Sequence, residues 1–533
     1  MNGVIERVIE NWLTSANERS YQLSFCQLLA AEGEAVVYVS SHGPLEQGKD
    51  VISVNKSGRV RAYQLKCGDF NLADWRKHKG EITDLIELPI QHPGVTASRN
   101  PECFLVTNGD IKDPAIKAIT AANVAWKKRK YPSLQTISKG NLLSRFLSVH
   151  GSYLPKELAD FTLFLELLLA DGYGPFDKEK AAKMLESVLP VAASSKLKTS
   201  ELKRAIASSV LLIGYVLQNA YQVRNHWAIF EGWTLVGSYL LGIASKHDLP
   251  DNAWSESLAI CEMGAEGALH DLCAECQSAQ TLVQGHPFTD GHFYHARVTI
   301  LVGLLAALDL YLRLKRPQEE RPAYVVNFVR EWRFKMKTWG ESASPYFVLA
   351  ALASDANCEA LAAEQIVLNT LGTIVQVNGS RNQGFGLPSP YYSAEESLGF
   401  AYGLKERPSE SFAGSSYTAH PLIDFLTRRW RRQALRALWH RIARMTMQSF
   451  EPGSDLNWFR WRVKDDGVLN SRLLGSPQSW SELLQSANSL NVNVLPKRLA
   501  DRPAFAIFFS LVYPHRFARE LLFLIESAIR ATG

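Results

Sequence analysis

Residues 46–66 read Glu-Gln-Gly-Lys-Asp-Val-Ile-Ser-Val-Asn-Lys-Ser-Gly-Arg-Val-Arg-Ala-Tyr-Gln-Leu-Lys, and this stretch decides how the first part of the chain is read. Asp50–Val54 and Val60–Lys66 are short runs rich in β-branched and aromatic residues, and Lys56-Ser57-Gly58-Arg59 between them is a turn. That combination predicts a β-hairpin. A strand period of two sends Gln64 and Lys66 to one face and Leu65 to the other, into the core. Asp50, at the start of the first strand, then faces Gln64-Leu65-Lys66 on its partner.

The flanks supply the elements that such a hairpin needs around it. Residues 18–32 carry apolar groups at Tyr21, Leu23, Phe25, Leu28 and Leu29, an amphipathic helix stopped by Gly33. Val36–Val39 reads as a strand. After the hairpin come a helix over 71–88 and a strand at Phe104-Leu105-Val106 closed by Asn108-Gly109. A helix over 114–126, a strand at Leu134–Ile137 and a helix from Gly140 follow. The order αβββαβ, then αβα, implies an α/β sandwich over residues 1–150.

The residue types at the hairpin suit one chemistry. Asp50 offers a hard oxygen to a divalent cation, and the Gln64 side-chain carbonyl and Leu65 backbone carbonyl can add others. Lys66 can orient an attacking water and offset charge that develops on phosphorus. Asp50, Gln64 and Lys66, in this element order, resemble the PD-(D/E)xK nuclease superfamily, and within it the Mrr-like restriction endonucleases, some of which carry Gln-x-Lys. The resemblance covers about residues 18–147, and Phe104–Gly109 with the following helix and strand looks like the later part of that family's domain. It implies a restriction-endonuclease-like fold and Mg²⁺- or Mn²⁺-dependent cleavage of DNA. Asp50, Gln64, Leu65 and Glu46 are the implied metal ligands and Lys66 the catalytic lysine. The family usually has a Glu on the first helix. Gln22 stands at that position here, and Glu18, one turn earlier on the same face, is the alternative.

Charge and composition are consistent with a protein of this kind. Lys and Arg number 58 against 53 Asp and Glu, a net charge of +5. Residues 1–150 hold 19 basic and 15 acidic side chains, net +4, which leaves 39 against 38 for the rest, net +1. A module that meets phosphate would carry the excess in this way. Arg76, Lys77 and Lys79, with His78, on the helix after Lys66, and Lys127-Lys128-Arg129-Lys130 are candidate contacts to the nucleic-acid backbone. With 46% hydrophobic residues and a mean hydropathy of -0.10, wholesale disorder is excluded. Seven thinly spread cysteines suit a reducing cytoplasm, and Glu6, Arg7 and Glu10 argue against a signal peptide.

Beyond residue 150 strands nearly vanish and long apolar-periodic stretches, 346–374 and 421–447 among them, predict a large, mostly helical region. A Gly/Pro/Ser-rich interruption at 378–416 divides it into 151–377 and 378–533. The uncharged run 205–223 contains Ser208, Ser209, Gln218 and Asn219, so a buried helix is expected there rather than a membrane span. Cys273, Cys276, His292 and His295 approach a zinc pattern, but the His spacing is short. Arg428, Arg429, Arg431 and Arg432 flank Trp430, and Trp458 and Trp461 follow. Such a stretch could bind nucleic acid, dock a partner protein or a second copy, or solvate a helix face. No Walker A motif or dinucleotide-binding glycine pattern is present. A nuclease module joined to a helical sensor region has the layout of an anti-phage effector; the alternative is a non-catalytic DNA-binding scaffold in a larger complex.

Overall fold

The computed structural model describes residues 2–40, 48–90, 95, 101–149, 158–191, 197–278, 291–379, 385–408, 412–462, 467–474 and 479–532. Its N-terminal part is a five-stranded mixed sheet with helices on both faces. The elements are α1 (Asn2–Ser15), α2 (Glu18–Ala31), β1 (Ala35–Val39), β2 (Val51–Val54), β3 (Val60–Lys66), α3 (Leu72–Glu87), β4 (Glu102–Thr107), α4 (Asp113–Lys128), β5 (Leu134–Ile137) and α5 (Lys139–Val149). The strands lie in sequence order. β1, β2 and β3 are antiparallel, whereas β3, β4 and β5 are parallel, with α3 and α4 as the crossovers. A parallel pair needs a crossover of this length, and a tight turn suffices for the antiparallel ones.

One sheet face, bearing Ile52, Val60, Ala62, Cys103 and Leu105, is buried against Trp75, Ile82, Leu85 and Trp126 of α3 and α4. On the other face Tyr63 meets Phe25 of α2 edge to face, with ring centroids 5.1 Å apart. Asn71 caps α3 by accepting from the N–H groups of Ala73 and Asp74, and the Asp74 side chain accepts from the Asn71 N–H. This capping box is worth about 1 kcal/mol and sets where the helix beside the hairpin begins. The expected elements of this module are present, within a few residues, and α1 is an addition to them.

The remainder is mostly helical, as expected, with three local departures. The stretch 346–374 is two helices, Ser344–Ala356 and Ala360–Asn378, broken where Cys358 takes φ 62°. The stretch 421–447 is Ala419–Arg428 and Arg432–Ile442, broken at Trp430 with φ 58°, and its end belongs to a strand. That strand, Thr446–Pro452, lies between Ser415–Ser416 and Gly467–Leu473 in a second, three-stranded sheet. Gly467–Leu473 is exposed along almost its whole length, so it has no apolar alternation to betray it.

Residues 206–216 of the expected buried helix are indeed buried. Among the described residues two other helices are long and apolar enough to cross a membrane, His226–Lys246, with 94% of its apolar window buried, and Ala360–Asn378. By packing, the chain divides into two compact units, Met1–Leu240 with Leu249–Gly267, and Leu241–Asp248 with Ala268–Gly533. This division is coarser than the three parts read from the sequence and is placed differently. The α/β module shares its unit with the first helices of the helical region.

Candidate functional site

The site is assembled at the end of the hairpin, where β2 begins and β3 finishes. The Asp50 N–H donates to the Tyr63 carbonyl at 2.9 Å, so Asp50 stands one residue before β2, in register with Gln64. Its side chain is turned onto β3. Asp50 Oδ2 accepts from Gln64 Nε2 at 2.8 Å and from the Leu65 N–H at 2.6 Å. Asp50 and Gln64 are each only 3% exposed. Along β3, Ala62, Gln64 and Lys66 share the face that carries α3 and α4, as the period of two requires. Leu65 points the other way and is fully buried.

One atom in this arrangement is left over. The Gln64 amide gives its N–H to Asp50, and Gln64 Oε1, though buried, has no hydrogen-bond partner. A buried, unmatched acceptor costs about 1–3 kcal/mol, so its neighbourhood calls for a donor or a cation. The chemistry of the donor set fits a hard divalent cation, with a carboxylate and an amide oxygen side by side and the Leu65 carbonyl at the same strand edge. It is a lean set. Among the described residues no group of three or more His, Cys, Asp or Glu could hold a metal ion.

Lys66 is held by a residue outside the motif. Its Nζ lies 2.9 Å from Glu81 Oε2 on α3, with the lysine side chain mostly buried and the glutamate half exposed. His78, one turn earlier on α3, places Nδ1 3.3 Å from the same carboxylate. Partial burial pushes the Glu81 carboxyl up, but the hydrogen bond and charge of Lys66, aided by His78, outweigh it and hold the group below its ordinary value. The Lys66 backbone is fixed as well, since Tyr21 Oη donates to its carbonyl at 2.7 Å. Burial, with the nearby charges of Glu18, Cys67 and Asp50, raises the Tyr21 hydroxyl well above its usual value, so it stays a donor.

The two candidates for the helix acid occupy different places. Gln22 Nε2 reaches the backbone carbonyls of Ser40 and Asp50 at 3.5 and 3.4 Å, long contacts that tie α2 to the start of β2. Glu18, the first residue of α2, lies by Tyr21 and Cys67. Burial is the larger cause of the raised Cys67 thiol, and the charge of Glu18 adds to it. Glu46 lies outside the described residues.

Arg76, Lys77 and Lys79 are exposed on α3, ahead of Glu81 on the same helix, while Trp75 anchors the helix in the core. Lys127, Lys128, Arg129 and Lys130 are also exposed at the end of α4, but Arg129 is paired with Glu87 at 2.7 Å. The arginine-rich stretch at 428–432 behaves otherwise. Arg428 is buried and donates to Glu526 Oε2 at 2.6 Å and to the Ala487 carbonyl at 3.1 Å. Arg429 bridges Glu526 and Asp355 at 2.6 and 2.5 Å, and Arg431 pairs with Glu364. Trp458 and Trp461 are buried, and of the aromatic surface expected there Trp430 is the exposed part. Arg428 and Arg429 are therefore internal struts, not a phosphate track. Cys273 and Cys276 are buried in one helix, and His295 contacts the Lys335 carbonyl, so the four zinc-like residues do not form a centre.

No family model, curated protein or solved structure matches this chain.

Sequence reasoning missed Glu81 because its link to Lys66 is tertiary. The available signal was weak: an acid on the predicted helix directly after Gln64-Leu65-Lys66, among basic residues.

Proposed function

We propose that the N-terminal module is a metal-dependent phosphodiesterase acting on nucleic acid, with double-stranded DNA as the substrate. The restriction-endonuclease-like assignment of the fold belongs to this proposal. The observation that carries it is the grouping of the Asp50 carboxylate, the unmatched Gln64 amide oxygen and the Lys66 ammonium at one end of a hairpin. Strand order and the two helical crossovers support the same reading.

In this reading Asp50 and Gln64 would hold a divalent cation, and the Leu65 carbonyl could add a further oxygen. When bound, the cation supplies Lewis acidity and a lowered pKa for coordinated water. Lys66 steers the water oxygen towards phosphorus and neutralises charge on the non-bridging oxygens. The new P–O bond forms as the ester P–O bond breaks, the attacking water gives up a proton to solvent, and the departing alkoxide takes one up from solvent. Tyr21 and Gln22 act on backbone atoms, keeping the Lys66 and Asp50 main chains in place. Arg76, Lys77 and Lys79 are placed to meet backbone phosphates approaching along α3.

Plasmid cleavage with Mg²⁺ or Mn²⁺ tests the proposal. Wild type is expected to cut and Lys66→Ala to cut at least about a hundredfold more slowly; equal cutting by both, or none by wild type, rejects it. Glu18→Gln and Gln22→Ala assign the helix role to whichever abolishes cutting. The Lys66–Glu81 ion pair favours a second reading, a module that binds DNA without cutting. DNA binding with no cleavage under either metal supports that alternative.

A further inference from the structure

Three residues, Gly48, Lys49 and Lys66, meet the turn of α3 that carries Glu81. Gly48 has φ +70°, and a Cβ there would stand 2.0 Å from the Glu81 carbonyl oxygen, so the loop entering β2 can lie against this turn of α3 only as glycine. Lys49 Nζ donates to the Asp84 carbonyl at 3.3 Å, one turn further along. Lys66 reaches it through its ion pair with Glu81 at 2.9 Å. The backbone of this turn thus lies against Gly48 and Lys49, the two residues that lead into Asp50. The Glu81 side chain itself is half exposed, so packing does not lock its carboxylate and it can exchange partners.

The charges explain why exchange is favoured. A divalent cation beside Asp50 and Lys66 would sit with one negative and one positive neighbour, leaving its own two charges unbalanced. A second carboxylate halves that excess. It also removes the competitor from Lys66, whose ammonium then faces the phosphate. Gln64 Oε1, buried and without a partner, stands two residues before Lys66 on the same face and supplies the third oxygen. Hard divalent cations gain affinity as carboxylates are added.

We propose that Glu81 is the second carboxylate of the cation site, leaving Lys66 to join Asp50 and Gln64 Oε1 around the divalent ion. This rests on the phosphodiesterase reading and names the acid that the amides at Gln22 and Gln64 do not supply. Here Glu81 holds Lys66; were Glu81 to turn to a cation, the lysine would be released, so its availability would be tied to occupancy of the site.

The test is Mn²⁺ binding to the full chain, followed by electron paramagnetic resonance of the free ion, with plasmid cleavage and thermal melting measured alongside. Wild type, Asp50→Asn, Glu81→Gln and Glu81→Asp are compared. Asp50→Asn should abolish binding, and Glu81→Gln should weaken it by at least about tenfold, with Glu81→Asp recovering part of the loss. Unchanged Mn²⁺ affinity in Glu81→Gln, with binding lost in Asp50→Asn, overturns the role of Glu81 and leaves the phosphodiesterase reading standing. Failure of wild type to bind Mn²⁺ or to cut sinks that reading itself, and this inference with it. Should Glu81→Gln lower the melting temperature, Glu81→Asp decides: affinity as poor as that of Glu81→Gln overturns the proposal.

Discussion

Two clusters of charge in this chain have similar composition and opposite degrees of saturation. Around Glu526, Arg428 and Arg429 fill the carboxylate from within and Arg530 adds a bond at 2.7 Å, while Asp355 takes the remaining arm of Arg429. Around Asp50 the polar groups are also buried, but Gln64 Oε1 is unmatched, and Lys66 leans on a glutamate half open to solvent. Saturated, dry ion pairs hold helices together. An unsaturated cluster at the end of a strand has capacity left for a ligand. Charge counted along the sequence ranks these two regions the wrong way round, because 428–432 is the denser basic run.

The contrast makes its largest prediction for stability. Arg428→Ala leaves Glu526 without one of its buried partners and should cost about 3–5 kcal/mol in chemical denaturation. A loss below about 1 kcal/mol would mean that the pair is not shielded from water, and the contrast would collapse. Lys66→Ala should do the reverse, lowering cleavage by on the order of 10²–10³-fold with the denaturation midpoint nearly unchanged. If its stability falls as far as that of Arg428→Ala, the Asp50 cluster is structural too.

A pH measurement sharpens the picture of the saturated region. His420 lies near Asp424 and Arg519, themselves paired at 2.5 Å, and burial pulls its imidazolium down from 6.5 to about 4, outweighing the charge of Asp424. Between those two values the unfolded chain binds a proton that the folded chain refuses. The stabilisation from a neutral His420 is thus complete above the unfolded pKa and is lost as pH falls through the folded one, up to roughly 3 kcal/mol. His420→Gln should flatten this part of the stability profile between pH 6.5 and 4. An unchanged slope would show that the imidazole is hydrated. The smallest effect is expected from the exposed cations on α3. Replacing Arg76, Lys77 and Lys79 by glutamine should leave folding intact and reduce the salt dependence of DNA binding, by up to about 0.9 in log–log slope per phosphate contact. A slope equal to that of wild type removes them from the interface.

Much of the candidate site was legible because its pieces are local. Asp50, Gln64, Leu65 and Lys66 belong to one hairpin, and a short turn with period-two strands settles their faces without reference to the rest of the chain. The break at Trp430 and the strand Gly467–Leu473 were not legible. The first depends on a single left-handed residue between two helical patterns, and the second on backbone pairing by residues whose side chains stay in water.

The sequence by itself determined the αβββαβ order of the first module, the hairpin at its centre and the helical character of the chain beyond residue 150, since periodicity and turn residues over short spans dictate each of them. Only the tertiary structure decided which charges are used up. Arg428 meets Glu526 across 98 residues, and Glu81 meets Lys66 because α3 crosses back over the sheet to reach β4. Partners of this kind are chosen by packing, and whether a polar atom is matched depends on every element that surrounds it. Gln64 Oε1 carries the same chemistry in the sequence as any other amide oxygen. Its lack of a partner is a property of the fold.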